Sequence, residues 1–164
     1  METVQHVLVR ATPQATTGAV WSADLLSTPL ARALSAMALW PDRLRAWARR
    51  APAPPRTARS ATLRDLLAPG SPWRLLAEHP VVLGLRWPAG DAEVRWTIDA
   101  QPFGAGHTLL VSRTEARGGR RFALAWPLIA PFAALLRGQV LRAVKAEAER
   151  AQARPSRSAA LRES

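Results

Sequence analysis

Val7 and Val9 fall on one parity and the polar pattern of "VQHVLVRA" partly alternates around them, which with its three β-branched residues predicts a strand over Val4 to Arg10. The period then lengthens. In "TPQATTGAVWSADLLSTPLARALSAMALWPDRLRAW" the pairs Thr12-Pro13 and Thr28-Pro29 each put a capping side chain before a proline suited to a first helical turn, so two short helices are expected. Leu30, Ala33, Leu34, Met37 and either Ala38 or Trp40 recur at helical spacing, giving the second helix a stripe expected to face the core. The segment Arg45 to Ala61 is dense in Arg, Pro and Ala. Proline removes a donor and fixes φ, so this stretch reads as an irregular connection.

From Thr62 to Arg117 the period shortens to two. "TLRDLL" fits either a short strand or a helical turn, and "APGSP" breaks the chain after it. "WRLLAEH", "VVLGLRW", "AEVRWTID" and "HTLLVSRTEA" are four runs of strand length separated by Pro80, "PAGD" and "QPFGAG". Turns this short predict an antiparallel meander, because parallel neighbours need crossovers of a dozen residues or more. Val81, Leu83, Leu85 and Trp87 share one parity, while Val94, Trp96 and Ile98 alternate with Glu93, Arg95, Thr97 and Asp99, so one face of the sheet is apolar and aromatic. The last run is less clean. Leu109 and Val111 share parity with Arg113 and Glu115, and Leu110 falls on the other face.

The final segment, "RRFALAWPLIAPFAALLRGQVLRAVKAEAER", changes character halfway. Phe122, Trp126, Ile129, Ala133, Leu136, Val140 and Val144 recur every three or four residues and draw one stripe down a long helix. Leu124, Leu128, Phe132 and Leu135 widen the apolar face only in the first half. Pro127 and Pro131 each remove a backbone hydrogen bond, so an irregular entry or a kink is expected there, with the regular helix beginning near Pro131. The uncharged run Phe122 to Leu136 is 15 residues long, too short at about 1.5 Å per residue to span a bilayer. Together these elements make a single α+β domain over 1–152, with an Arg- and Pro-rich connection at about 48–61 and a flexible tail over 153–164.

Composition changes this picture in two respects. The net charge is +11, almost all of it arginine, since Lys145 is the only lysine. Such a balance fits either a solvated basic surface or phosphate contacts, but past Trp47 no aromatic residue in the Arg-rich connection supplies a stacking platform. The absence of cysteine excludes a disulfide framework and a thiolate zinc site. The N-terminus lacks the basic start and apolar core of a secretory signal, so the expected location is the cytoplasm.

Catalytic motifs are missing: there is no GxxxxGKS, GxGxxG, HExxH or GxSxG. His6, His79 and His107 are not paired at i, i+4, and no metal or cofactor is expected. Seven tryptophans are the least ordinary feature. Their large rings with one N–H suit the wall of an apolar cavity, and plain core packing explains them equally well.

The order strand, two short helices, antiparallel meander and long C-terminal helix resembles the polyketide cyclase and START-like superfamily (SRPBCC), the helix-grip fold. "HVLVRATPQATTGAVWSADLLSTPLARAL", "LRDLLAPGSPWRLLAEHPVVLGLRW" and above all "RRFALAWPLIAPFAALLRGQVLRAVKAEAE" are similar to a bacterial subgroup with an Arg-Phe, a Trp, a Pro, an Ile/Leu-Arg and a C-terminal Leu-Arg-Ala pattern. The likeness covers about Val4 to Arg150. It departs from the usual pattern at "AEHPVV", where a longer turn is the norm, and in the connection after Trp47. The resemblance implies a curved antiparallel sheet wrapped around the C-terminal helix, with an apolar cavity between them. Members bind lipids, sterols or polyketides, and some catalyse cyclisation or hydrolysis there. No superfamily-wide catalytic residue carries over.

The expected function is therefore binding of a hydrophobic small molecule, such as a lipid or polyketide. Its walls are Leu83, Leu85, Trp87, Val94, Trp96 and Ile98 on the sheet and Phe122, Trp126 and Ile129 on the helix. Arg86 or Arg113 near the mouth is expected to hold an anionic head group. Neither a nucleic-acid partner nor a transmembrane segment is expected. Two alternatives stand beside this reading. One is a cyclase or hydratase, with Glu78, Glu115 and His107 as its only acid-base candidates. The other is a nucleic-acid or anionic-membrane module using the Arg-rich connection and the basic C-terminus.

Overall fold

The computed structural model of the chain describes residues 1–38, 60–69, 71–86 and 92–160. Along them run β1 (Glu2–Val9), α1 (Pro13–Ser22), α2 (Pro29–Ala38), the single turn α3 (Leu63–Leu66), β2 (Trp73–Glu78), β3 (Val81–Arg86), β4 (Ala92–Pro102), β5 (Thr108–Gly118) and α4 (Arg120–Ala160). "TLRDLL" thus takes the helical option. Trp40, Trp47, Trp87 and the connection from 48 to 59 lie outside the described residues.

The expected α+β architecture and meander are both present. The strands form one antiparallel sheet in the order β1-β5-β4-β3-β2. His79 and Pro80 alone turn β2 into β3. The β4–β5 loop closes with the Phe103 N–H donating to the His107 carbonyl at 3.0 Å. Gly104 and Gly106 hold φ of 71° and 70° there, a region that side chains with a Cβ avoid. The sheet is completed by β1 against β5, from Glu2 opposite Glu115 to Val9 opposite Thr108.

Strand parity places the buried face. Ala92, Val94, Trp96 and Ile98 of β4 are buried and Glu93 and Arg95 are exposed. On β5 the ambiguity resolves in favour of the face without charge: Thr108, Leu110, Ser112, Thr114 and Ala116 point inward. Their hydroxyls are compact enough to sit beneath a helix, whereas Arg113 and Glu115 are better served by the outer face, where Arg113 Nε lies 3.2 Å from Glu2 Oε1. That ion pair is half-exposed and contributes little to stability.

Local signals set the helix starts. Thr12 Oγ1 accepts from the Ala15 N–H ahead of Pro13, and Thr28 Oγ1 accepts from the Ala31 N–H ahead of α2. At α3 the Asp65 carboxylate accepts from the Thr62 N–H at 2.7 Å and from its hydroxyl at 2.9 Å, bonds that hold its pKa below the usual carboxylate value. Of the stripe expected on α2, Leu30 and Ala33 are exposed and the neighbouring Ala31 is buried, while the side chains of Leu34, Met37 and Ala38, like Trp40, are outside the described residues. The helix meets α4 through its small-residue side, where Thr28 Oγ1 donates to Gln139 Oε1 at 3.1 Å.

Helix α4 also departs from expectation, running unbroken from Arg120 through both Pro127 and Pro131 and on to Ala160, into the stretch expected as a tail. Ala123 and Pro127, whose carbonyls lose their donors to the prolines, are themselves exposed, so water can replace the missing bonds. Gly118 permits the close turn into α4, since a Cβ there would fall 2.7 Å from Phe122 and 2.8 Å from Ala92. The helix then follows β1. Gln5 Nε2 donates to the Ala134 carbonyl at 3.1 Å, Lys145 Nζ to the Leu8 carbonyl at 2.7 Å, and the Arg10 N–H to Glu149 Oε1 at 3.0 Å.

Candidate functional site

The layer between sheet and α4 holds two apolar clusters that do not merge. The larger joins α1 and the C-terminal half of α4 to the sheet through Val20, Leu83, Ile98, Leu110, Leu141 and Val144. The smaller lies where α4 begins and contains Ala92, Val94, Ala116, Phe122 and Trp126, with Leu85, Ile129 and Ala130 against it. Phe122 and Trp126 stack at a tilt with ring centroids 5.3 Å apart.

What separates them is polar. Along the inner face of β5, Leu110 belongs to one cluster and Ala116 to the other, and Ser112 and Thr114 stand between. Their partners on β1 are Gln5 and Thr3, so the register assembles two hydroxyls, an amide and a third hydroxyl into one block. On α4, the buried Arg137 lies three residues past the Ala134 carbonyl that Gln5 reaches. Trp96 closes the block from β4, opposite Thr114, with its Nε1–H donating to Ser112 Oγ at 2.8 Å and its ring edge-on to Trp73 at 6.0 Å.

This band is under-satisfied. Thr3 Oγ1, Gln5 Oε1, Thr114 Oγ1 and Arg137 Nε are all buried without a hydrogen-bond partner. Arg137 is only 6% exposed, no ion pair reaches it among the described residues, and burial pushes its pKa below the ordinary arginine value. Each orphaned buried hydroxyl, amide oxygen or guanidinium N–H costs roughly 1–3 kcal/mol. A fold gains nothing from such a cluster by itself.

Of the expected wall residues, Leu83, Trp96 and Ile98 lie in the larger cluster and Leu85, Val94, Phe122, Trp126 and Ile129 in or against the smaller. Trp87 and the side chain of Arg86 are outside the described residues. Arg113 is not at the mouth of this layer: it sits on the opposite face of the sheet, paired with Glu2. The three acid-base candidates are not brought together. Glu78 is exposed at the end of β2, Glu115 is on the outer face of β5, and His107 is in the β4–β5 loop with Nδ1 2.9 Å from the Ala105 carbonyl oxygen. No group of carboxylates and histidines suited to a metal occurs among the described residues.

The opposite side of α4 is unusual in another way. Leu124, Leu128 and Leu135 are 81%, 83% and 53% exposed, and with Pro127 and Pro131 they form a helical stripe facing away from the sheet. Arg120 and Arg121, also exposed, stand one turn before Leu124. By length and composition α4 is long and apolar enough to cross a membrane, and less than a third of its most apolar stretch is buried.

Sequence reasoning passed over Arg137, Thr3, Gln5, Ser112 and Thr114. The signal was there in part: Arg137 lies four residues after Ala133 and three before Val140, within the buried stripe, and Thr3 and Gln5 share parity with Val7 and Val9. Spacing reports which face a residue occupies. It does not report whether a partner waits there. Among known proteins, no family model matches the chain, no curated protein matches it and no solved structure matches it.

Proposed function

We propose that the protein binds an apolar small molecule between its sheet and α4, in a helix-grip arrangement of the START-like kind. The observation that carries this reading is the divided interlayer: two apolar clusters flank buried polar atoms that lack partners, an arrangement suited to a ligand with a large apolar surface and a few polar groups. The order of elements, with a five-stranded antiparallel sheet packed on a long C-terminal helix, supports it too. Holding is favoured over reacting, because Glu78, Glu115 and His107 do not share this layer. Trp96 and Trp126 make the test optical. Titrating fatty acids, sterols and aromatic polyketides should shift intrinsic tryptophan emission for at least one class, and no response to any of them would count against the reading.

A second reading, attachment to an anionic membrane surface, is favoured by the exposed leucine stripe beside Arg120 and Arg121. An amphipathic helix of this kind lies in the headgroup region with its apolar face inserted and its arginines against lipid phosphates. Sedimentation with phosphatidylglycerol vesicles should then remove the protein from solution, and phosphatidylcholine vesicles should remove much less. Equal behaviour with both vesicles, or a concentration-dependent dimer that buries the stripe instead, would dismiss it.

A further inference from the structure

We infer that the polar band of Thr3, Gln5, Ser112, Thr114 and Arg137 is a binding site for the carboxylate of an amphiphilic ligand. The inference rests on the small-molecule reading above and narrows it to apolar carboxylic acids. Arg137 supplies the charge. It is buried to 94% by its 6% exposure, it has no anionic partner among the described residues, and its guanidinium can only donate. The hydroxyls of Thr3 and Thr114 face each other across the β1–β5 ladder with no other bond to make, so both can donate to the same anion. Ser112 Oγ is already fixed as acceptor by the Trp96 indole, which leaves its own proton free to point into the band.

Charge selects the class of ligand. One guanidinium balances one negative charge, which a carboxylate carries, whereas a phosphate monoester brings between 1.5 and 2. The flanks select the rest of the molecule, because apolar residues lie on both sides of the band, toward Trp126 in one direction and Leu110 in the other. Gln5 spends its amide N–H on the Ala134 carbonyl, so its free oxygen takes a donor, such as a ligand hydroxyl or a retained water.

The test compares dodecanoate with dodecanol on delipidated full-length protein by calorimetry. Wild type should bind the acid roughly 10- to 100-fold more tightly than the alcohol, the range expected for a charge-assisted contact. Arg137→Met should bring that ratio close to one by weakening the acid far more than the alcohol, and Arg137→Lys should restore part of the preference. The ligand-free Arg137→Met protein should melt at a higher temperature than wild type, since it loses an unpaired buried charge. If Arg137→Met fails to fold, Thr114→Val carries the same readout with a smaller loss of preference. Acid and alcohol binding equally well in wild type would overturn this inference, leave the band to water and keep the small-molecule reading. Binding of neither probe, with no response to sterols or polyketides, would overturn both.

Discussion

Leu124 and Leu141 belong to one helix, yet the first is 81% exposed and the second 4%. The halves of α4 differ in how many elements cover them. The C-terminal half has α1 on one side, through Ala19, Val20 and Ala23, and the sheet on the other, so Val140, Leu141, Val144 and Ala148 are enclosed. The N-terminal half rests on the ends of β3, β4 and β5 through Phe122 and Trp126, and its far side has nothing over it among the described residues. Hydrophobic side chains occur in both halves, but only where a second layer exists do they become core. The lesson is that the first half is held by a small cluster and is available for binding work, while the second anchors the fold.

The contrast can be broken by identical truncations. Leu141→Ala should cost about 2–5 kcal/mol in chemical denaturation, the usual range for emptying a leucine site in a packed core. A loss below about 1 kcal/mol would mean that α1 does not close over α4 as described. Ser112→Ala tests the junction between the halves. It leaves the Trp96 indole N–H buried without its acceptor and should cost roughly 1–3 kcal/mol, with a change in tryptophan emission. Hydrogen exchange sharpens the contrast without mutation: amides from 122 to 134 should exchange faster than those from 140 to 148, because local opening of the first half exposes less apolar surface. The smallest effect belongs to Leu124→Ala, which should alter stability by less than about 0.5 kcal/mol while weakening attachment to anionic vesicles if the stripe meets a membrane.

The strand meander, the caps at Thr12 and Thr28, and the long final helix were all legible because each is a local matter. Alternation over a few residues fixes a strand's two faces, and a threonine before a proline starts a helix wherever it occurs. The prolines of α4 misled for a reason equally physical. Pro127 and Pro131 were judged by the bonds they forfeit, but both stand on the water-facing side, where those bonds are easily replaced. On α2, Leu30 and Ala33 have helical spacing but no layer to face among the described residues.

By itself, then, the sequence determined the five strands, the first two helices and the presence of the last, their order, and the apolar face of β3 and β4, but not the state of "TLRDLL" or the bounds of α4. Only the tertiary structure decided that β1 lies against β5, that α4 lies along β1, and hence that Thr3, Gln5, Ser112 and Thr114 adjoin and Gln5 reaches the α4 turn that precedes Arg137. Local propensity acts over a few neighbouring residues. The polar band is made of side chains contributed from both ends of the chain, and whether a buried charge finds a counter-charge is settled only when distant segments pack.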